Sequence, residues 1–94
     1  MANDKTLLVV PRHRDESEAK ALAYGRELRR LCETLGIDVA EERVVRVGNI
    51  HPAYYVGKGN AEEIAAIVAE DEYDIVVFDV DLTPAQQRNW DRLT

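Results

Sequence analysis

The sequence predicts an α/β fold, a small three-layer domain with a mainly parallel sheet of three or four strands flanked by helices. Two short runs, residues 6–10 and 73–80, have the continuous hydrophobicity of strands that are buried on both faces. Segments with helical periodicity follow each strand, which gives the order βαβαβα. Such alternation is typical of parallel sheets with right-handed crossovers, so we expect the two apolar strands to be central neighbours.

The first helix is expected over residues 16–35, with Asp15 or Ser17 as its N-terminal cap. Gly36 provides the residue for a left-handed C-terminal stop. Apolar residues recur within this segment at steps of three and four, which predicts one buried stripe along the helix. The members of this stripe are Ala21, Tyr24, Leu28, Leu31, Cys32 and Leu35.

The second strand is expected over residues 37–47, at an edge of the sheet, because charged side chains occupy both of its faces. Residues 48–59 form the longest loop. Asn60 and Glu63 have the spacing of a capping box, which predicts a second helix over residues 61–71. The apolar face of that helix comprises Ala61, Ile64, Ile67 and Val68.

The third helix follows the second apolar strand and begins with a strong start signal. Thr83 suits the N-cap, Pro84 the first turn and Gln86 the capping-box position. No strand follows this helix within the 94 residues, so we expect an unpaired sheet edge beyond it. An unpaired edge can pair with a second copy of the chain, and a homodimer is therefore one predicted assembly.

The composition predicts one domain spanning residues 1–94, with 46% hydrophobic and 32% charged residues. A net charge of −6 argues against binding of nucleic acid by the overall field, although it leaves room for a local basic patch. No apolar run is long enough for a membrane span, and the first residues do not match a secretory signal. The single cysteine, Cys32, fits a reducing compartment, so a cytoplasmic location is expected.

The segment Gly57-Lys58-Gly59-Asn60 is a candidate phosphate-binding turn ahead of a helix. The two glycines permit a close approach of the backbone, and a helix start offers free N–H groups beside the lysine charge. A Walker A loop is excluded, because Pro52 replaces its first glycine and Gly59 follows the lysine. The alternative interpretation is a tight turn with an exposed lysine.

Two further polar clusters are candidates for contact with RNA or with an acidic protein surface. Arg12 and Arg14 follow the first strand, whereas the other cluster opens the third helix and comprises Gln86, Gln87 and Arg88. In each case the alternative is a solvated surface or a helix cap. No catalytic residue is predicted, and the isolated histidines predict no metal site.

Two linked motifs, HPAYYVGKG at residues 51–59 and FDVDLTPAQQRNW at residues 78–90, resemble the N-terminal domain of HflX-type ribosome-associated GTPases. The resemblance covers nearly the whole chain. Asn60 replaces a second lysine that often follows the glycine pair, and Val80 stands where an acidic residue is frequent. Tyr55 in the first motif joins the candidate contact residues on this basis.

The resemblance implies a recognition domain that contacts the large ribosomal subunit, through RNA or protein, and works in cis with a GTPase domain. GTP and Mg²⁺ would belong to that domain, because the 94 residues contain no GxxxxGK[ST], DxxG or NKxD motif. We therefore expect this chain to be non-catalytic, within a longer protein that resembles a P-loop GTPase. The alternative is a small nucleotide- or phosphate-binding domain that uses Gly57, Lys58, Gly59 and the following helix start.

Overall fold

A computed structural model describes residues 4–94 as a parallel sheet with helices on both faces. The elements are β1 (Thr6–His13), α1 (Glu18–Thr34), β2 (Val39–Val47), α2 (Lys58–Glu70), β3 (Ile75–Phe78) and α3 (Pro84–Leu93). The strand order is β2-β1-β3 and both pairings are parallel. The α/β class, the alternating order and the pairing of the two apolar strands are confirmed, but only β1 is central, because β3 lies at the edge opposite β2. Within the described residues the sheet has three strands.

The central strand β1 continues past Pro11, where the sequence predicted its end. Asp79 donates its backbone N–H to the carbonyl of Val9 at 2.9 Å, so the polar groups of Val9 point towards β3. Alternate residues of a strand point their N–H groups to the same side, so the nitrogen of Pro11 also faces that side. It lies beyond Phe78, the β3 residue paired with Val9. No ladder hydrogen bond is lost there, and the proline is tolerated.

Successive residues of β1 pack into two separate hydrophobic clusters on opposite faces of the sheet. One cluster faces α2 and α3 and consists of Leu7, Val9, Val45, Val47, Val56, Ala61, Ile64 and Trp90. The other faces α1 and consists of Leu8, Val10, Ala21, Cys32 and Val39. Because β1 contributes buried side chains to both clusters, the domain has three layers, as the sequence predicted.

The predicted stripe of α1 is correct for Ala21 and Cys32 but wrong for three larger residues. Tyr24, Leu31 and Leu35 are more than half exposed. The buried line includes Gly25, which is one residue, or about 100°, round the helix from Tyr24. A Cβ built on Gly25 would lie 2.9 Å from Cγ2 of Val10, so the glycine allows α1 to approach the sheet closely. Because α1 lies close to the sheet at Gly25, the face that carries Ala21, Gly25 and Cys32 is buried, whereas Tyr24, Leu31 and Leu35 face solvent.

The helix caps agree with the sequence at two of three starts. Ser17 caps α1, accepting from the N–H of Lys20, and Thr83 with Gln86 forms the complete capping box of α3. The predicted cap at Asn60 is wrong, because α2 already begins at Lys58 with Gly57 as its N-cap. The Ala61 N–H donates to the Gly57 carbonyl at 2.9 Å, which places Asn60 inside the first turn.

The two edge strands differ in how they are protected. Both faces of β2 carry charges that pair with helices: Arg29 with Glu42 at 3.1 Å and Arg43 with Glu63 at 3.7 Å. This confirms the predicted charged edge. β3 is shorter than predicted, with four partly buried residues in place of residues 73–80. Self-association through this edge stays a prediction.

Candidate functional site

The carboxyl edge of the sheet gathers most of the residues that the sequence proposed as contacts. β1 ends at His13, β2 ends at Val47, and the loop of residues 48–57 leads from β2 into α2. Because all strands are parallel, the end of β3 and the start of α3 lie at this same edge. Open α/β sheets commonly bind their ligands outside the carboxyl ends of the strands.

Three side chains form a continuous hydrogen-bonded chain at this edge. The Tyr55 hydroxyl lies 2.6 Å from Nε2 of His13, and Nδ1 of the same ring lies 2.7 Å from Oε1 of Glu16. Glu16 also accepts the backbone N–H of His13 at 3.1 Å. Both nitrogens of the imidazole are therefore engaged within the fold. The arrangement joins the loop before α2 to the segment after β1 and acts as a structural tie.

The charge of Glu16 influences two other groups at the carboxyl edge. Hydrogen bonds from the His13 side chain and backbone lower the pKa of Glu16 below 4.5. Burial raises the pKa of Tyr55 above 10.0, and the negative charge of Glu16 adds to the increase. Burial, and then Glu16, likewise raise the pKa of Asp79 above 3.8. Glu16 is thus the carboxylate that is held ionised, whereas ionisation of Tyr55 and Asp79 is disfavoured.

The loop of residues 51–55 closes on itself by two backbone hydrogen bonds. The His51 N–H donates to Tyr55 O at 2.9 Å, and the Tyr55 N–H donates to His51 O at 2.8 Å. Tyr55 has a backbone φ of 69°, in the left-handed region that residues other than glycine rarely adopt. The loop geometry therefore fixes the direction of the Tyr55 side chain.

Helix α3 holds this loop through three side-chain donors at positions 86, 89 and 90. Gln86 Nε2 donates to the carbonyl of His51, and Asn89 Nδ2 donates to that of Ala53, each at 3.1 Å. Trp90 Nε1 donates to the carbonyl of Tyr54 at 2.9 Å. The polar residues of the second sequence motif thus bind backbone carbonyls of the first, which explains why the two motifs occur together.

Gln86 therefore differs from the other predicted contacts at the start of α3. Its side chain is 4% exposed, and its Oε1 accepts the Thr83 N–H while Nε2 binds the loop. Gln87 and Arg88 are exposed. The geometry assigns Gln86 to the internal framework and leaves its two neighbours on the surface.

The segment Gly57-Lys58-Gly59-Asn60 comprises the N-cap and the first residues of α2, just after the closed loop of residues 51–55. Lys58 and Gly59 are exposed, and Gly57 as N-cap supplies no side-chain hydrogen bond. The first turn of α2 contains no acidic residue. Tyr55, three residues before Lys58, is half-buried.

A basic pocket lies where β1 and β2 end, and it includes both predicted arginines. Arg12, Arg14 and Arg46 line a cavity of about 380 Å³, together with His13, Val47 and Gly48. Arg12 is half-buried and donates from Nε to the carbonyl of Glu16 at 3.1 Å. Asn60 lies in a different cavity, which it shares with Arg43, Arg46 and Glu63 along β2.

Sequence reasoning placed His13 at the carboxyl end of the first strand but did not predict its contacts with Glu16 and Tyr55. The three-residue spacing of a histidine and a glutamate after a strand was the available local signal. The third member, Tyr55, is 42 residues from His13, so only the fold brings them together. In the part of the chain that the structure describes, no three metal-ligating side chains are grouped and no helix could cross a membrane.

Comparison with known proteins identifies the family. A family model described as "GTP-binding GTPase N-terminal" matches residues 23–94. The chain belongs to this family. The same region contains β2, α2, β3 and α3, including both motifs that the α3 contacts join.

Curated relatives give the same assignment within the family. The GTPase HflX of Akkermansia muciniphila is 38% identical over 80 residues, which cover 84% of this chain and 18% of the relative. The GTPase HflX of Flavobacterium psychrophilum is 35% identical over 86 residues, or 92% of this chain and 21% of the relative. The GTPase HflX of Escherichia coli is 51% identical over 43 residues, 46% of this chain and 10% of the relative. This HflX-type N-terminal domain thus spans about a fifth of the length of the first two relatives.

Proposed function

We propose that this HflX-type domain is a non-catalytic recognition module that contacts the large ribosomal subunit on behalf of a GTPase domain, in the cytoplasm. The observation that carries the proposal is the braced carboxyl edge. Tyr55 belongs to a loop that α3 and the Tyr55–His13–Glu16 chain hold in place, Lys58 follows that loop, and Arg12 and Arg14 lie where β1 ends. A fixed loop loses little conformational entropy when a partner binds, which suits docking.

The chemistry of the edge supports docking in preference to catalysis. Both imidazole nitrogens of His13 are engaged with neighbours, and the carbonyls of His51, Ala53 and Tyr54 are bound by α3. The 94 residues also carry none of the three GTPase motifs. GTP binding and hydrolysis are accordingly assigned to a GTPase domain in cis, with Mg²⁺ as its metal.

Co-sedimentation with purified large ribosomal subunits tests this proposal. The protein is compared as the 94-residue chain, as the chain joined to its GTPase domain, and as the GTPase domain alone. We expect the chain to increase the amount that pellets with the subunits. Equal pelleting of the GTPase domain with and without residues 1–94 would contradict the recognition role.

A second candidate function, nucleotide or phosphate binding at Lys58, is favoured by the first turn of α2. That turn lacks both a side-chain cap and an acidic residue, so its N–H groups remain available to an anion. Titration with ATP and GTP, with Lys58→Ala as the comparison, measures this function. If nucleotide binding is unchanged in Lys58→Ala, or absent from the wild type, Lys58 does not form a nucleotide or phosphate site.

A further inference from the structure

Two arginines face each other directly on neighbouring strands. Arg12 of β1 is in register with Arg46 of β2, and parallel strands lie about 4.8 Å apart. Both residues belong to the sheet face that packs on α1, because Val10 and Val44, two residues earlier in each strand, contact the α1-side cluster. Like charges directly opposite each other destabilise a sheet, so this pairing calls for a compensating negative charge.

Arg14 brings a third positive charge to the same place. Its Nη2 would lie 3.6 Å from a Cβ built on Gly48, the residue that follows β2. The side chain therefore reaches from the end of β1 across to the end of β2. The three guanidinium-bearing residues together line the cavity of about 380 Å³.

Protein carboxylates are not ion-paired with these three arginines: Arg12 binds only the backbone carbonyl of Glu16, whose carboxylate is engaged with His13. The remaining strand arginine, Arg43, is paired with Glu63. Among residues 4–94, by contrast, no carboxylate lies within 4.0 Å of a side-chain nitrogen of Arg12, Arg14 or Arg46. Three cations therefore accumulate in a chain whose net charge is −6. Because the screening length at physiological salt is about 8 Å, acidic residues farther away than this contribute little to the local field, and the single nearby charge of Glu16 does not balance three guanidinium groups.

We propose that the pocket formed by Arg12, Arg14 and Arg46 binds a backbone phosphate of RNA. This inference rests on the proposed function and specifies its partner chemistry. Guanidinium groups bind phosphate oxygens in a planar, two-pronged geometry, and three of them match the charge of a phosphodiester and its neighbours. Gly48 leaves the entrance open, because it places no side chain beside Arg14.

The lining favours a phosphate within a polymer over a free nucleotide. No phenylalanine, tyrosine or tryptophan lines the cavity, so it lacks the large aromatic platforms on which bases commonly stack. The one ring present, that of His13, has both nitrogens occupied by Tyr55 and Glu16, so neither nitrogen is free to hydrogen-bond a base. A phosphodiester whose bases lie elsewhere meets these conditions.

A substitution at Gly48 tests the pocket without removing an arginine. Its φ is outside the positive region, so Gly48→Asp can place a carboxylate beside the Arg14 guanidinium, and Gly48→Asn is the uncharged control of similar size. The ¹⁵N-labelled chain is titrated with inorganic phosphate, with chloride at equal ionic strength as reference. We expect phosphate-specific shifts of the arginine Nε–Hε signals, weakened at least about tenfold in Gly48→Asp and little changed in Gly48→Asn.

Filter binding to protein-free large-subunit RNA then identifies the source of the phosphate. RNA affinity should fall in Gly48→Asp and in Arg46→Gln, an exposed position, and should be retained in Gly48→Asn. Amide spectra of each variant establish that it is folded, and Arg46→Gln replaces Gly48→Asp if the latter is not.

Each contrary outcome has a distinct meaning. Absence of phosphate-specific shifts overturns the pocket, even if the chain pellets with ribosomal subunits. Phosphate binding combined with unchanged RNA affinity in Gly48→Asp and Arg46→Gln overturns the RNA assignment and identifies a small-anion site. Phosphate binding by a chain that binds neither RNA nor subunits overturns both the RNA assignment and the proposed function.

Discussion

The hydroxyl of Tyr55 lies 2.6 Å from Nε2 of His13, across 42 residues of sequence. Glu16 binds the other ring nitrogen, so one imidazole connects the loop before α2 to the segment after β1. The loop is also held by hydrogen bonds from α3. The conformation of the carboxyl edge therefore depends on contacts between segments that are distant in sequence.

Removing the Tyr55 hydroxyl should destabilise the domain without disturbing the backbone. Tyr55→Phe keeps the ring and leaves Nε2 of His13 without its partner, so we expect a loss of about 1 kcal/mol in the free energy of unfolding. Urea denaturation measures this loss. Tyr54→Phe is the matched control, because the Tyr54 hydroxyl makes no hydrogen bond within residues 4–94. Equal stability of the two variants would show that the Tyr55–His13 contact contributes nothing.

The Glu16 contact should make stability depend on acidity. The folded-state pKa of Glu16 is lowered from 4.5, so its contribution is present above pH 4.5 and is lost as the pH falls through the lowered value. Glu16→Gln should therefore be less stable than the wild type at pH 7, and the difference should shrink below pH 4.5. Urea denaturation across this range measures it, with exposed Glu62→Gln as control. If the stability difference between Glu16→Gln and the wild type stays constant with pH, the ionised Glu16 carboxylate does not stabilise the fold.

Ionisation of Asp79 should lower the stability of the domain, whereas ionisation of Glu16 raises it. Its folded-state pKa is raised from 3.8 by burial, then by Glu16, so ionisation opposes folding once the pH rises above the unfolded value. Asp79→Asn should consequently stabilise the domain at neutral pH, and this gain should disappear below about pH 3.8. Thermal unfolding at several pH values checks the prediction. The control Asp81→Asn, at an exposed position, should show no such gain. If Asp79→Asn is less stable than the wild type at pH 7, ionisation of Asp79 does not oppose folding.

Gln86 should be the most sensitive polar residue of α3. Gln86→Ala removes the acceptor for the Thr83 N–H and the donor to His51 O, so we expect a loss of about 2 kcal/mol. Gln86→Glu keeps the acceptor alone and should lose about half as much. The exposed neighbour Gln87→Ala should change stability by less than about 0.5 kcal/mol in the same urea measurements. Similar losses for Gln86→Ala and Gln87→Ala would rule out the two-bond role.

Glycine substitutions should separate close packing from helix propensity. Gly25→Ala gains about 1 kcal/mol of propensity but places its Cβ 2.9 Å from the stiff Val10 side chain, so net destabilisation is expected. Gly59→Ala has no heavy atom within 4 Å of the new Cβ and should be neutral or stabilising. Thermal unfolding compares the two variants. A Gly25→Ala protein as stable as Gly59→Ala would mean that α1 moves away from the sheet at little cost.

The capping box of α3 and the left-handed Gly36 were predictable because each depends on residues within four positions of one another. The start of α2 was not, because Asn60 is a locally favourable N-cap, whereas the loop before the helix is fixed by tertiary contacts and the helix begins two residues earlier. The pairing of Arg12 with Arg46, and the use of Gln86 inside the framework, likewise depend on partners more than 30 residues away.

The sequence by itself determined the α/β class, the pairing of the two apolar strands, the charged edge strand and the family. These features follow from local periodicity, capping and motif spacing, which are properties of short segments. Only the tertiary structure decided which stripe of α1 is buried, how α3 binds the loop, and that three arginines and the Tyr55–His13–Glu16 chain meet at one edge. Strand register and helix packing set those contacts, and both depend on the close fit of the whole core.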